Sequence, residues 1–177
     1  MAKRKSVEGK DLMLFLDGNT VALATSCTLN VSRNMDEASS KDDGSWRTVT
    51  PGDASWDISA DSLFSPDGED SAQKQIAFPD LFAALVDGKE LEAHFTIAEN
   101  ASSNGLPDGG WLPKAGGYKG KCYVNSSSIS AAKGSAASSS ISFTGNGPLM
   151  ADVAAAAASA EGDEQTEQTE QTEPTSI

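Results

Sequence analysis

Apolar and polar residues alternate with period two along much of this chain, the pattern of strands buried on one face. Leu12-Met13-Leu14-Phe15-Leu16 is a short apolar run that ends in the turn signal Asp17-Gly18-Asn19. Val21-Ala22-Leu23-Ala24-Thr25 follows, so the pair predicts a hairpin. Cys27, Leu29 and Val31 then alternate with Thr28, Asn30 and Ser32. Trp56, Ile58 and Ala60 alternate with Asp57, Ser59 and Asp61, and Leu63-Phe64 carry that strand toward Pro66. Leu91, Ala93, Phe95 and Ile97 alternate with Glu92, His94 and Thr96, and two late strands are expected over about 120–130 and 138–145. In this reading Leu29, Val31, Trp56 and Ile58 are core. Thr28, Asn30, Ser32, Asp57, Ser59 and Asp61 form the wet face of the same strands.

One segment breaks the alternation. Residues 78–88 predict a helix: Pro79 suits a first turn, Asp80 complements the helix dipole, and Gly88 is a C-terminal stop. Leu81, Phe82 and Leu85 form its apolar stripe, suited to covering the open end of a sheet. Seven or eight strands with one short helix give a mainly β fold, either a β-sandwich or a partly rolled barrel.

Two stretches read as loop. Residues 100–117 are rich in Gly, Pro, Asn and Asp. The other, SRNMDEASSKDDGSW from Ser32 to Trp46, is polar, with charges of both signs. It is far longer than the roughly 4–6 residues usual between elements of a compact domain.

Charge divides the chain. Of 177 residues, 26 are acidic and 13 basic, a net charge of -13. Residues 151–177 hold seven of those acids and no Lys or Arg, which leaves 19 acids against 13 bases in residues 1–150. The division is a β domain over 1–150 and an acidic, low-complexity tail over 151–177. The Glu-Gln-Thr repeat of that tail offers nothing to bury, so disorder is expected, after at most a frayed helical turn at 151–160. No basic stripe of the kind that grips duplex DNA is present in the sequence. Lys3-Arg4-Lys5 is followed by no apolar run, so neither a signal peptide nor a membrane span is expected. Cys27 and Cys122 are then expected to be reduced, buried thiols.

Candidate chemistry is thin. His94, the single histidine, has no metal-ligand spacing around it. Ser71-Ala72-Gln73-Lys74 lacks the companion motifs of a Ser-x-x-Lys enzyme. Asp67-Gly68-Glu69-Asp70 lacks the ligand alternation of a calcium loop. No enzyme, cofactor or metal site is expected.

A more specific signal lies in ATSCTLNVS (24–32), leading to Asp36-Glu37-Ala38-Ser39-Ser40-Lys41, Gly44 and Trp46, then Gly52, Trp56 and Ile58, and at the far end ISFTGNGPL (141–149). This order resembles the tail tube, or major tail, proteins of bacteriophages with long non-contractile tails. The resemblance covers about residues 9–149. It implies a β-sandwich with a flanking helix, six copies to a ring, and rings stacked into a hollow tube in the virion tail. It implies assembly in the host bacterial cytoplasm around a tape measure protein, with tail-terminal proteins as further partners. Genomic DNA would pass through the lumen without specific binding, and no membrane is involved. The polar excursion would be an inter-subunit arm built from Asp36, Glu37, Ser39, Ser40, Lys41, Asp43, Trp46 and Arg47, with Trp46 as anchor. The faces of Thr28, Asn30, Ser32, Asp57, Ser59 and Asp61 would line the lumen. The competing expectation is a β-sandwich binding module, such as a tail or capsid decoration protein that recognises a partner or a glycan.

Overall fold

The structure is a computed structural model that describes residues 7–39, 46–100 and 105–152. Its strands are β1 (Leu12–Leu16), β2 (Asn19–Val21), β3 (Ala24–Glu37), β4 (Val49–Leu63), β5 (Gln75–Ile76), β6 (Glu90–Ile97), β7 (Tyr118–Ser130) and β8 (Ser138–Ala151). The helix α1 (Phe78–Asp87) lies between β5 and β6. All eight strands belong to one sheet, ordered β3-β4-β8-β7-β6-β1-β2-β5. Every pairing is antiparallel except the short one between β2 and β5.

Local chemistry sets the turns. Asp17 and Gly18 both have positive φ, which the tight β1–β2 hairpin requires for its twist to match the strands. The Asp80 carboxylate accepts the Ala77 amide at the start of α1 (3.3 Å). Gly88 ends the helix in the left-handed conformation, and Lys89 N–H returns to the Ala84 carbonyl (2.9 Å).

The sheet rolls until its far members meet. β3 and β1 are five places apart in strand order, yet Cys27 of β3 and Leu14 of β1 line one and the same cavity. The result is a partly rolled barrel with one seam, between β3 and the start of β1. One apolar cluster fills it, from Leu14 and Leu16 through Trp56, Ile58, Leu91, Phe95, Cys122, Ile141 and Phe143, with Leu81 and Ala84 of α1. Cys122 is buried and Cys27 half-buried, both free thiols.

Trp56 shapes the centre of the sheet. A Cβ on Gly145 would stand 2.2 Å from its Cε2 atom, and one on Gly120 would stand 2.6 Å from its Cζ2. Both glycines are therefore floor for the indole, whose Nε1–H donates to the Gly147 carbonyl (3.0 Å). This contact explains why β8 runs on to Ala151 through Gly145-Asn146-Gly147-Pro148, beyond the end expected near residue 145.

Five expectations need correction. Ser32–Glu37 is not loop: β3 continues through it, paired with β4 as far as Glu37↔Val49. Val31 is not core. It is 63% exposed, because the β3–β4 pair has already left the barrel at that level. Leu29 is only partly buried at the core margin. Phe82 is exposed, because α1 turns Leu81 and Ala84 inward instead. Ala151 ends β8 rather than starting a helical turn, and 153–177, with the tail, lie outside the described residues.

Gly145→Ala is expected to lower stability by several kcal/mol, comparable to the ~3–5 kcal/mol typical of Trp56→Ala. In denaturant melts the double variant should lose less than the sum of the two, because the clash and the indole are one interaction. Strict additivity would show that the glycine does not carry the indole.

Candidate assembly surfaces

Beyond Asn30↔Asp57 the β3–β4 pair extends as a free two-stranded ribbon. From Val31 to Glu37, seven residues at about 3.3 Å each give a reach of ~23 Å. Its end is tied by Ala38 N–H to the Thr48 carbonyl (3.0 Å) and by Thr48 N–H to Ser39 Oγ (3.0 Å). A bulge between Arg33 and Met35 strengthens the twist. The ribbon has two unlike faces. One prolongs the core face and carries Val31, Met35 and Val49 in the open, with Arg33 among them. The other is polar: Ser32 bonds Ser55 (3.0 Å), and the Asp36 carboxylate leans over Gly52, where a Cβ would come within 2.8 Å. Trp46, at the end, is 86% exposed. It does not fold back on its own domain.

Of the residues assigned to the arm, Asp36, Glu37, Ser39, Trp46 and Arg47 lie on or next to this ribbon, all exposed. Ser40, Lys41 and Asp43 fall outside the described residues.

The second surface is the outer face of β3, β4, β8 and β7. Pairing aligns its side chains in rows across the four strands: Ser26–Asp61–Ser140–Ser128, Thr28–Ser59–Ser142–Ser126, and Asn30–Asp57–Thr144–Tyr123. Ser32 continues the face onto the ribbon. Asn30 Nδ2 donates to Asp57 (2.8 Å), while Ser26 (2.8 Å) and Ser140 (2.6 Å) both donate to Asp61. The rows contain no Lys or Arg. Towards β6 the face becomes zwitterionic, with Lys121–Glu90 (2.9 Å), Lys119–Glu92, and Asn146 donating to Glu90 (2.8 Å). The β7 and β8 hydroxyls were missed from the sequence: Ser140 and Ser142 alternate with Ile141 and Phe143 as regularly as on β4, but on β7 it is the irregularity between Val124 and Ser126 that turns Ser126 and Ser128 to this face.

This four-stranded unit is unpaired at both sides. β3 is the last strand of the sheet. β7 pairs with β6 only as far as Tyr123↔Glu90, so its Val124–Ser130 half is bonded to β8 alone. His94 belongs to neither surface. Its Nε2 lies 3.0 Å from the Gly116 carbonyl and 3.5 Å from Asp152, helping to hold the 105–117 loop on β6. Among the described residues no group of three or more His, Cys, Asp or Glu is placed to hold a metal.

A family model described as phage tail tube protein matches residues 7–151. The chain belongs to that family. It is a structural protein of the virion tail, and solved tail structures share its fold. The tail of an empty gene transfer agent particle, refined with C6 symmetry, superposes with a TM-score of 0.64 at 19% identity, over 82% of this chain and 98% of that one. The native gene transfer agent virion gives 0.61 at 20%, over 82% and 98%. The SPP1 tail tube gives 0.57 at 14%, over 83% and 79%. A search of curated proteins finds no match to the sequence. In this tail tube protein, the long ribbon and the hydroxyl face are two surfaces that the barrel core does not use.

Hydrogen bonds from Ser140 and Ser26 hold the Asp61 carboxyl below the ordinary carboxylate range, and Lys121 and Asn146 do the same for Glu90. A depressed folded-state pKa stabilises the fold above the ordinary value, and that increment is lost as pH falls through the depressed value. Ser26→Ala with Ser140→Ala should raise the Asp61 pKa toward normal and flatten its share of the acid sensitivity. Carboxyl NMR titration reads this directly. An unchanged Asp61 midpoint would contradict the assigned cause.

Proposed function

We propose that six copies close into a ring, that rings stack into the hollow tail tube, and that DNA passes along the hydroxyl face. The unpaired edges of β3 and β7, flanking one polar-faced sheet, carry this reading. An exposed edge of this length invites strand pairing, and here the two edges belong to opposite sides of the same unit. Pairing β3 of one copy with β7 of the next is head-to-tail, which closes when the rotation per copy divides a full turn. Twenty-four strands at about 4.8 Å give a wall roughly 115 Å around and ~37 Å across between backbones, before strand tilt widens it. Such a bore passes a duplex.

The wall chemistry suits transit. Each cation that neutralises a phosphate adds a salt-dependent attraction, and repetition around a tube would multiply it into arrest. The rows offer hydroxyls, amides and the acids Asp57 and Asp61 instead. Repeated carboxylates keep the wall negative, so DNA slides without a binding register. The ribbon, with its uncovered core-side face and exposed Trp46, is the arm that joins neighbouring copies. A tape measure protein sets the length, tail-terminal proteins cap the tube, and assembly takes place in the host cytoplasm before the tail enters the virion. No catalysis is assigned.

Trp46→Ala should leave the circular dichroism of the subunit unchanged, because the indole touches no core, and should abolish tubes in electron micrographs. Normal tubes from this variant would remove the ribbon from the assembly. Asp57→Lys with Asp61→Lys tests the lumen. Particles built from it should release DNA more slowly in low salt and recover in high salt. A density map with Asp57 and Asp61 on the outer surface of the tube would refute the assignment.

A further inference from the structure

The seam of the barrel is not closed by packing. Between the start of β1 and the start of β3 lies a cavity of about 390 Å³. Its apolar lining comes from Leu12, Leu14, Val21, Leu23, Leu106 and Trp111, and Cys27 sits in its wall. Leu23 forms part of the rim in an unusual way. Its φ is +52, a left-handed conformation that is costly for a branched residue. The backbone is pinned there by Leu63 N–H bonding to its carbonyl (3.1 Å) and by Ala22 N–H bonding to Ile76 (2.8 Å). The side chain stays exposed at the mouth. The volume is near the lower end of ligand pockets, roughly 300–1,000 Å³, and suits a single large side chain.

We propose that this seam cavity receives the Trp46 indole of a second copy of the chain. The inference rests on the ribbon acting as an inter-subunit arm and names where that arm docks. Trp46 is an exposed large aromatic, and a buried aromatic in a pre-formed pocket is the usual anchor of a protein interface. Its own cavity is out of reach. From Cys27 to Glu37, ten residues of β3 run away from the seam, about 33 Å at 3.3 Å per residue, and pairing with β4 keeps the ribbon extended.

Charge agrees with the pairing. Residues 36–47 hold the acids Asp36, Glu37, Asp42 and Asp43 against Lys41 and Arg47. Residues 1–11, which lead to Lys10 at the cavity, hold Lys3, Arg4, Lys5 and Lys10 against Glu8 and Asp11. The contact joins unlike surfaces, so each copy gives one indole and receives one. Such a contact propagates without closing on itself and supplies the stacking direction, while edge pairing supplies the ring.

Cys27 is a built-in reporter, because the other thiol, Cys122, is buried in the core. Maleimide labelling of Cys27, read by mass spectrometry, should slow by about tenfold or more on passing from dissociated subunits to tubes, because thiol reaction rates follow access. The decisive arm uses Trp46→Cys co-assembled as a minor component with wild-type chain, which keeps tubes intact. A short bis-maleimide should then link position 46 of one copy to Cys27 of another in tubes and not in dissociated subunits, with the linked peptides identified by mass spectrometry. Intact tubes containing the variant but lacking this linkage would overturn the docking site and leave the tube function standing. Protection of Cys27 without the linkage would likewise overturn it, by showing a different occupant. Failure of the wild-type chain to form tubes would overturn the function itself, and this inference with it.

Discussion

The indole of Trp56 lies where two glycines leave room for it, and much else in the molecule depends on that fit. Gly145 on β8 and Gly120 on β7 let the ring lie flat across two neighbouring strands, and Gly147 accepts its one polar atom. The contact joins β4, β8 and β7 on the inside of the roll. Its cross-strand partner on β3 is Val31, so Trp56 also marks the level at which the core ends. Below it the β3–β4 pair is wall; above it the same pair is ribbon. One side chain thus fixes both the curvature of the barrel and the point from which the ribbon departs.

The two faces of β3 and β4 divide the labour. The inner face is apolar along the barrel and mainly apolar on the ribbon, where, among the described residues, Val31, Met35 and Val49 stand uncovered around Arg33. The outer face is ordered by short hydrogen bonds among hydroxyls, amides and two carboxylates, with partners on adjacent strands. Such rows hold their geometry without a basic residue. The same sequence period therefore supplies an apolar surface and a polar one from alternate residues of one stretch of chain.

Much of this was legible in the sequence. The alternation of Trp56, Ile58 and Ala60 against Asp57, Ser59 and Asp61 identified inside and outside, because burial on one face imposes a period of two. The helix was marked by Pro79, Asp80 and Gly88. Alternation reports a face, however, and not whether anything covers it, so Val31 looked like core. Ser32–Glu37 looked like loop because a two-stranded ribbon has no buried face to impose a hydrophobic pattern. Gly145-Asn146-Gly147-Pro148 looked like the end of a strand, because glycine is usually a breaker; here it makes room for an indole brought in from 89 residues earlier. The rows across β4, β8 and β7 depend on register, which period alone does not give.

As the inter-subunit arm proposed above, the ribbon has a kinetic consequence for assembly. Two strands without a third, or without a helix beneath them, are marginal in water. Holding this one in docking geometry costs conformational entropy that the lone subunit does not recover. A first encounter between two free subunits bears that cost on both sides and gains only one contact. A subunit arriving at an existing end finds its receptor surface already in place. Initiation is then slow and elongation fast, so the number of tubes follows the number of starting platforms rather than the supply of subunits.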